Sequence, residues 1–149
     1  MREIIEQHGP IRAFNARYNC AYSTLNKAMW WDVEHCGGPI IEQATHFCDL
    51  ARFLGGEINL DTLNAISIKQ TDSAGDLSKI PPNIMNLELG LPKERRIPRV
   101  TNAFWKYESG AIGSLMHGVL LHGQKYESEI EVWGDGYRMV LHDPYGKVI

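Results

Sequence analysis

With 149 residues, 44% of them hydrophobic and 22% charged, the chain has the size and composition of one globular domain. Fifteen basic against eighteen acidic side chains leave a formal charge of −3, which excludes the broad cationic footprint of a nucleic-acid binder. Cys20, Cys36 and Cys48 show neither the pairing of a disulfide framework nor the spacing of a zinc site, and no apolar run reaches membrane-spanning length, so a reducing, cytoplasmic setting is expected.

In chain order, "MREIIEQHG" reads as the end of a helix stopped at Gly9-Pro10. "IRAFNARYNCAY" follows as a strand, with Phe14, Ala16, Tyr18, Cys20 and Tyr22 alternating with Asn15, Arg17 and Asn19. After a loop holding Trp30-Trp31 comes a helix opened by Gly38, with Pro39 at its first position, and closed by Gly55-Gly56. "LNAISIK" at 63–69 is a second strand, and residues 71–99, rich in Ser, Gly, Asn and Pro, are a long excursion of the functional or mobile kind. Within it "KERRIPR" reads as a solvated loop. Two hairpins complete the chain: one turns at Glu108-Ser109-Gly110, the other at "GDG" after "YESEIEVW". One main helix followed by strands and hairpins implies an α+β domain, an open and largely antiparallel sheet with the helix packed on one face.

The stretch "GGPIIEQATHFCDLARFLGG", residues 37–56, carries the most chemistry. Wound at 100° per residue, Ile40, Ala44, Phe47, Leu50, Ala51 and Leu54 form a core stripe, while Glu42, His46 and Asp49 share an arc of about 60° beside it. A carboxylate one turn before a histidine can orient the imidazole and raise its proton affinity, making a poised acid/base. The spacing admits plainer roles too, since a first-turn Glu42 suits the helix dipole and Asp49 with Arg52 is an ordinary surface pair.

Other chemistries fit less well. His46 and Cys48 point to different sides of the helix and His35-Cys36 are adjacent, so the four do not converge on zinc. No cysteine is placed against a histidine that would activate it as a nucleophile. His117, His122 and His142 sit in or beside strands as packed or surface residues. "GDGYRM" lacks the third glycine and the following helix of a dinucleotide fingerprint.

The 37–56 stretch resembles the signature of the glucose-fructose oxidoreductase / inositol dehydrogenase / MocA group of NAD(P)-dependent oxidoreductases: a glycine run, an apolar pair, an acid, a small residue, a histidine, then Asp-Leu and a terminal glycine. "YESGAIGSL" and "EVWGDGY" agree with the element order that follows it. Members of that group join an N-terminal Rossmann half, with a glycine fingerprint and a Glu-Lys-Pro motif, to a C-terminal α+β half, and this sequence resembles the second alone. The resemblance implies a fragment, residues 1–149, lacking the Rossmann domain and the last elements of the sheet. It also implies that His46 is the acid/base acting on a substrate hydroxyl, with Glu42, where Asp is common, tuning it; Asp49 fits the signature too, in an orienting or structural role beside the substrate. Ala44 stands where glycine is common.

The expected reaction of the complete protein is oxidation of a secondary alcohol of a sugar, cyclitol or related polyol, or its reverse, with NAD or NADP as cofactor and a lysine from the other half polarising the oxygen. No cofactor is expected to bind this chain alone. Asn15 and Arg17, on the polar side of the first strand, are expected to add substrate contacts. A sheet face holding Phe104, Trp105 or Trp133 is expected to be buried in a homodimer. The alternative is a non-catalytic binding or dimerisation module that keeps the fold without the cofactor half.

Overall fold

The computed structural model describes residues 1–20, 27–77, 79–80, 82–121 and 127–144. Six strands form one sheet in the order β2-β3-β4-β1-β5-β6. They are β1 (Ile11–Asn19), β2 (Ile58–Ile68), β3 (Val100–Tyr107), β4 (Ile112–Gly118), β5 (Glu127–Gly134) and β6 (Tyr137–His142). Every neighbouring pair is antiparallel except β1 with β4, which run parallel because the chain crosses over through the main helix, β2 and β3 before returning beside β1. The expected α+β architecture is present, and both hairpins fall where the turn residues put them. Gly110 and Gly136 take φ values of 84° and 79°, open to glycine at little cost.

Alternation assigns the faces. Phe14, Ala16 and Tyr18 of β1, Leu115 and His117 of β4, and Ile130 and Val132 of β5 point inward and are buried. The helix α1 (Arg2–His8) ends at Gly9, and the Tyr137 hydroxyl donates to the Gly9 carbonyl at 2.7 Å, tying α1 to the far edge of the sheet. A short turn of helix, α2 (Val33–Cys36), ends at Gly37 in the left-handed conformation, φ 71°. The main helix α3 (Thr45–Gly55) then lies on the inner face, with Phe47 5.2 Å from Tyr18 between ring centroids and Ala51 and Leu54 in the same core.

The expected single α-helix over 39–55 is in fact two windings. Ile40–Ala44 forms a π turn and α-helix begins only at Thr45. The Thr45 hydroxyl donates to the Ile41 carbonyl at 2.7 Å, occupying the acceptor that the Thr45 amide would use in an α-helix.

The 71–99 excursion is a structured strap rather than a bare loop, with a helix α4 (Pro82–Leu89) in its middle. "KERRIPR" is not solvated throughout. Arg99 is 5% exposed, donates from Nη1 to Glu88 Oε1 at 2.5 Å and from Nε to the Gly75 carbonyl at 3.1 Å, and Glu88 is itself buried on α4. Ile97 enters the core and its amide donates to the Trp31 carbonyl at 3.2 Å. A charge run can hide an anchor when each cation has its own partner.

Candidate active site

Glu42 sits in the π turn and His46 in the first turn of α3, both exposed, one helical step apart. A π winding turns less per residue than an α-helix, so the step from Glu42 to His46 falls below the about 400° of four α residues, toward a full turn. The two side chains therefore leave the helix on one side. Asp49 is exposed farther along α3, while Arg52 gives its Nη2 to both carboxylate oxygens of Glu57, at 2.8 and 3.0 Å, rather than to Asp49.

Asn15 and Arg17 are not brought to this group. Their parity on β1 is opposite to that of Phe14, Ala16 and Tyr18, so they face the open side of the sheet while α3 covers the other. Asn15 accepts from the Ser114 hydroxyl at 3.1 Å, and Arg17 pairs with Glu129 across the β1–β5 register. A two-residue period places alternate residues on opposite faces, and a polar strand face is thus separated from a helix on the apolar one.

Between Glu42 and His46 in sequence, Gln43 enters a part-buried polar knot that spacing does not reveal. Gln43, between them in the π turn, accepts from His117 Nε2 at 2.9 Å and donates through its own amide nitrogen to Cys20 Sγ at 3.8 Å. His117 is 1% exposed, stacks 5.1 Å from Tyr18, and burial pushes its pKa down to about 4. It is a packed neutral histidine, as its strand position suggested.

A second network surrounds Asp32, which sits at the start of α2. Its carboxylate accepts from His35 Nδ1 at 2.8 Å, from the Glu34 amide at 3.1 Å and from both Nε and Nη2 of Arg95. The Arg95 guanidinium chiefly, with His35 and the Glu34 amide, holds the Asp32 pKa at about 2. Arg95 comes from the strap, which is why no local spacing could announce the pair.

The thiols are quiet. Burial raises the pKa of both Cys36 and Cys48, and nearby Glu42 pushes Cys36 the same way. Among the described residues no cluster of His, Cys, Asp or Glu is arranged to hold a metal ion. The Gly134-Asp135-Gly136 sequence is the β5–β6 turn, and a side chain at Gly134 would strike the Tyr137 ring, so no phosphate cradle exists there. His122 and Tyr22 lie outside the described residues.

The open face presents Phe104, 49% exposed, and Trp133, 54% exposed, around a cavity of about 420 Å³ floored by Asn15 and Ser114. Trp105 also lines this cavity, but it is not part of the exposed face. Next to Phe104 in sequence, it points inward and is 5% exposed, fitting over Gly113, where any side chain would strike its indole.

The sequence matches the family described as "Putative oxidoreductase C terminal domain" across residues 1–137. Two uncharacterized proteins of Schizosaccharomyces pombe are similar to it. C12C2.04 is 44% identical over 132 residues, covering 89% of this chain and 33% of the relative. UNK4.17 is 40% identical over 145 residues, covering 97% and 35%. The chain thus spans about a third of the length of these curated relatives. A levoglucosan dehydrogenase in complex with NADH and levoglucosan has a similar fold, with TM-score 0.69 and 22% identity, over 95% of this chain and 35% of that one. So does myo-inositol 2-dehydrogenase from Lactobacillus plantarum, at TM-score 0.63 and 16% identity, over 94% and 37%.

Proposed function

Because this chain belongs to the oxidoreductase C-terminal-domain family, with the fold that forms the C-terminal half of oxidoreductases of the glucose-fructose oxidoreductase / inositol dehydrogenase / MocA group, we propose that it supplies the substrate side of an NAD(P)-dependent dehydrogenase. The substrate is a secondary alcohol of a sugar, cyclitol or related polyol. The observation that carries this reading is the exposed Glu42 and His46 on one side of the π turn and α3.

His46 takes the hydroxyl proton as the adjacent carbon gives up a hydride, so that alcohol becomes ketone. Glu42 and Asp49 add carboxylates on the same stretch of helix as His46. The hydride acceptor would be the nicotinamide of NAD or NADP. Since this sequence carries no glycine fingerprint for its phosphates, NAD or NADP is assigned to another part of the protein and none to this chain alone. Asn15 and Arg17 fall with the open face and outside this substrate reading.

The open face is assigned to a second copy of the same chain, since Phe104, Trp133, Ile112 and Ile66 are each about half exposed or more on one side of the sheet. Light scattering of the wild-type protein is expected to give the mass of a dimer, and a monomer at micromolar concentration would remove the assignment. The enzyme reading is tested by following NADH or NADPH formation by the full-length protein with levoglucosan, myo-inositol and related polyols. Turnover with one of them is the expected result. A full-length protein that binds no nicotinamide and turns over none would favour the non-catalytic module instead.

A further inference from the structure

Gln43 and His117 are 74 residues apart in sequence and meet in a part-buried hydrogen bond, Gln43 standing in the π turn next to Glu42. The bond is specific in direction. Gln43 spends its amide nitrogen on Cys20 Sγ, so its carbonyl oxygen is the acceptor and His117 must carry its proton on Nε2. The partners on the sheet are fixed as well: the Cys20 amide donates to the Gly118 carbonyl at 2.7 Å, which ties the end of β1 to the end of β4, and Tyr18 packs against both His117 and Phe47. The π turn is thus held from below by the sheet and from within by the Thr45 hydroxyl on the Ile41 carbonyl.

A π turn is a costly winding that persists when its surroundings over-determine it. Here it decides the azimuth of Glu42 relative to His46. We propose that His117 is a positioning residue: through Gln43 it fixes the π turn and so sets Glu42 and His46 in register. Neither Gln43 nor His117 touches substrate in this account, and the inference rests on reading His46 as the acid/base.

The test uses the full-length protein and no substrate. Three variants are compared with wild type: His117→Leu, which fills the space without a donor; His117→Gln, whose amide can replace the Nε2 donor; and Gln43→Met, which removes the acceptor at a half-buried site. Two properties are read by mass spectrometry, amide exchange of segment 38–47 and the rate at which diethyl pyrocarbonate modifies His46, with exposed His8 as the internal standard. His117→Leu and Gln43→Met are expected to speed exchange of the segment roughly tenfold, as loss of one buried hydrogen bond would. They are also expected to change the His46 rate several-fold, while His117→Gln returns both toward wild type.

A packing role gives the opposite order, because leucine suits an apolar core better than glutamine. If His117→Leu matches or exceeds His117→Gln, or if Gln43→Met leaves the segment and His46 as they are in wild type, the proposal is overturned. Since no turnover is measured, failure of His46 as an acid/base would leave this result untouched, and the two failures are distinguishable.

Discussion

Both faces of the sheet carry large apolar side chains and differ in what covers them. On the inner face, Phe14, Tyr18, Trp105, Tyr107 and Leu115 are roofed by α3 and the strap, and even polar His117 is excluded from water. On the outer face, Phe104, Ile112, Met116 and Trp133 remain exposed beside Asn15, Arg17 and a row of glutamates. The difference teaches that one strand can serve two purposes at once. Its inward residues hold the helix that bears the candidate chemistry, and its outward residues pair with neighbouring strands on the open face.

The closed face is the more sensitive to a single polar change. Replacing Glu88 with Gln leaves the Arg99 charge buried without its anion, and loss of about 3–5 kcal/mol in urea unfolding is expected. A loss under 1 kcal/mol would mean that the strap does not close the core as described.

Acid should open the same face in two stages. Folded His117 titrates at about 4 against 6.5 for an ordinary histidine, so between those values the unfolded chain binds more protons and stability falls as pH falls. The fall amounts to about 3 kcal/mol by pH 4. Below it Asp32, held at about 2 against 3.8, contributes stability that is lost as pH drops through that second interval. His117→Gln should remove the first stage and leave the second. Unfolding midpoints measured from pH 7 to pH 2 decide the matter.

On the open face the expected effect on stability is smallest. Trp133→Glu should change the unfolding free energy of a single chain by no more than about 0.5 kcal/mol. Light scattering should nonetheless fall from the mass of two chains to that of one. Retention of the dimer by Trp133→Glu and Phe104→Glu together would place the interface elsewhere.

Much of this was legible in the residues. Period-two alternation located β1 and its faces, turn glycines located both hairpins, and Gly38-Pro39 with Gly55-Gly56 bounded the helical segment. The choice between Phe104 and Trp105 was open only because neighbouring residues in a strand take opposite faces and nothing local says which face is covered. The π turn escaped because it depends on the Thr45 hydroxyl and on His117, a partner from another strand. The strap escaped for a similar reason. Glu88 and Arg99 are separated by a turn of chain that composition marks as loop, and their pairing is a tertiary fact. His46 and Glu42 stood out by spacing and by resemblance, whereas Gln43, the residue between them, carried no signal until its bond to His117 was seen.

That the chemistry resides on α3 and not on the sheet is tested most directly by His46→Ala in the full-length protein, assayed for NAD(P)-dependent oxidation of whichever probe polyol wild type accepts. A fall in kcat of roughly 10²–10⁴ with the oligomeric mass unchanged is the expected result. Turnover equal to that of wild type would contradict it.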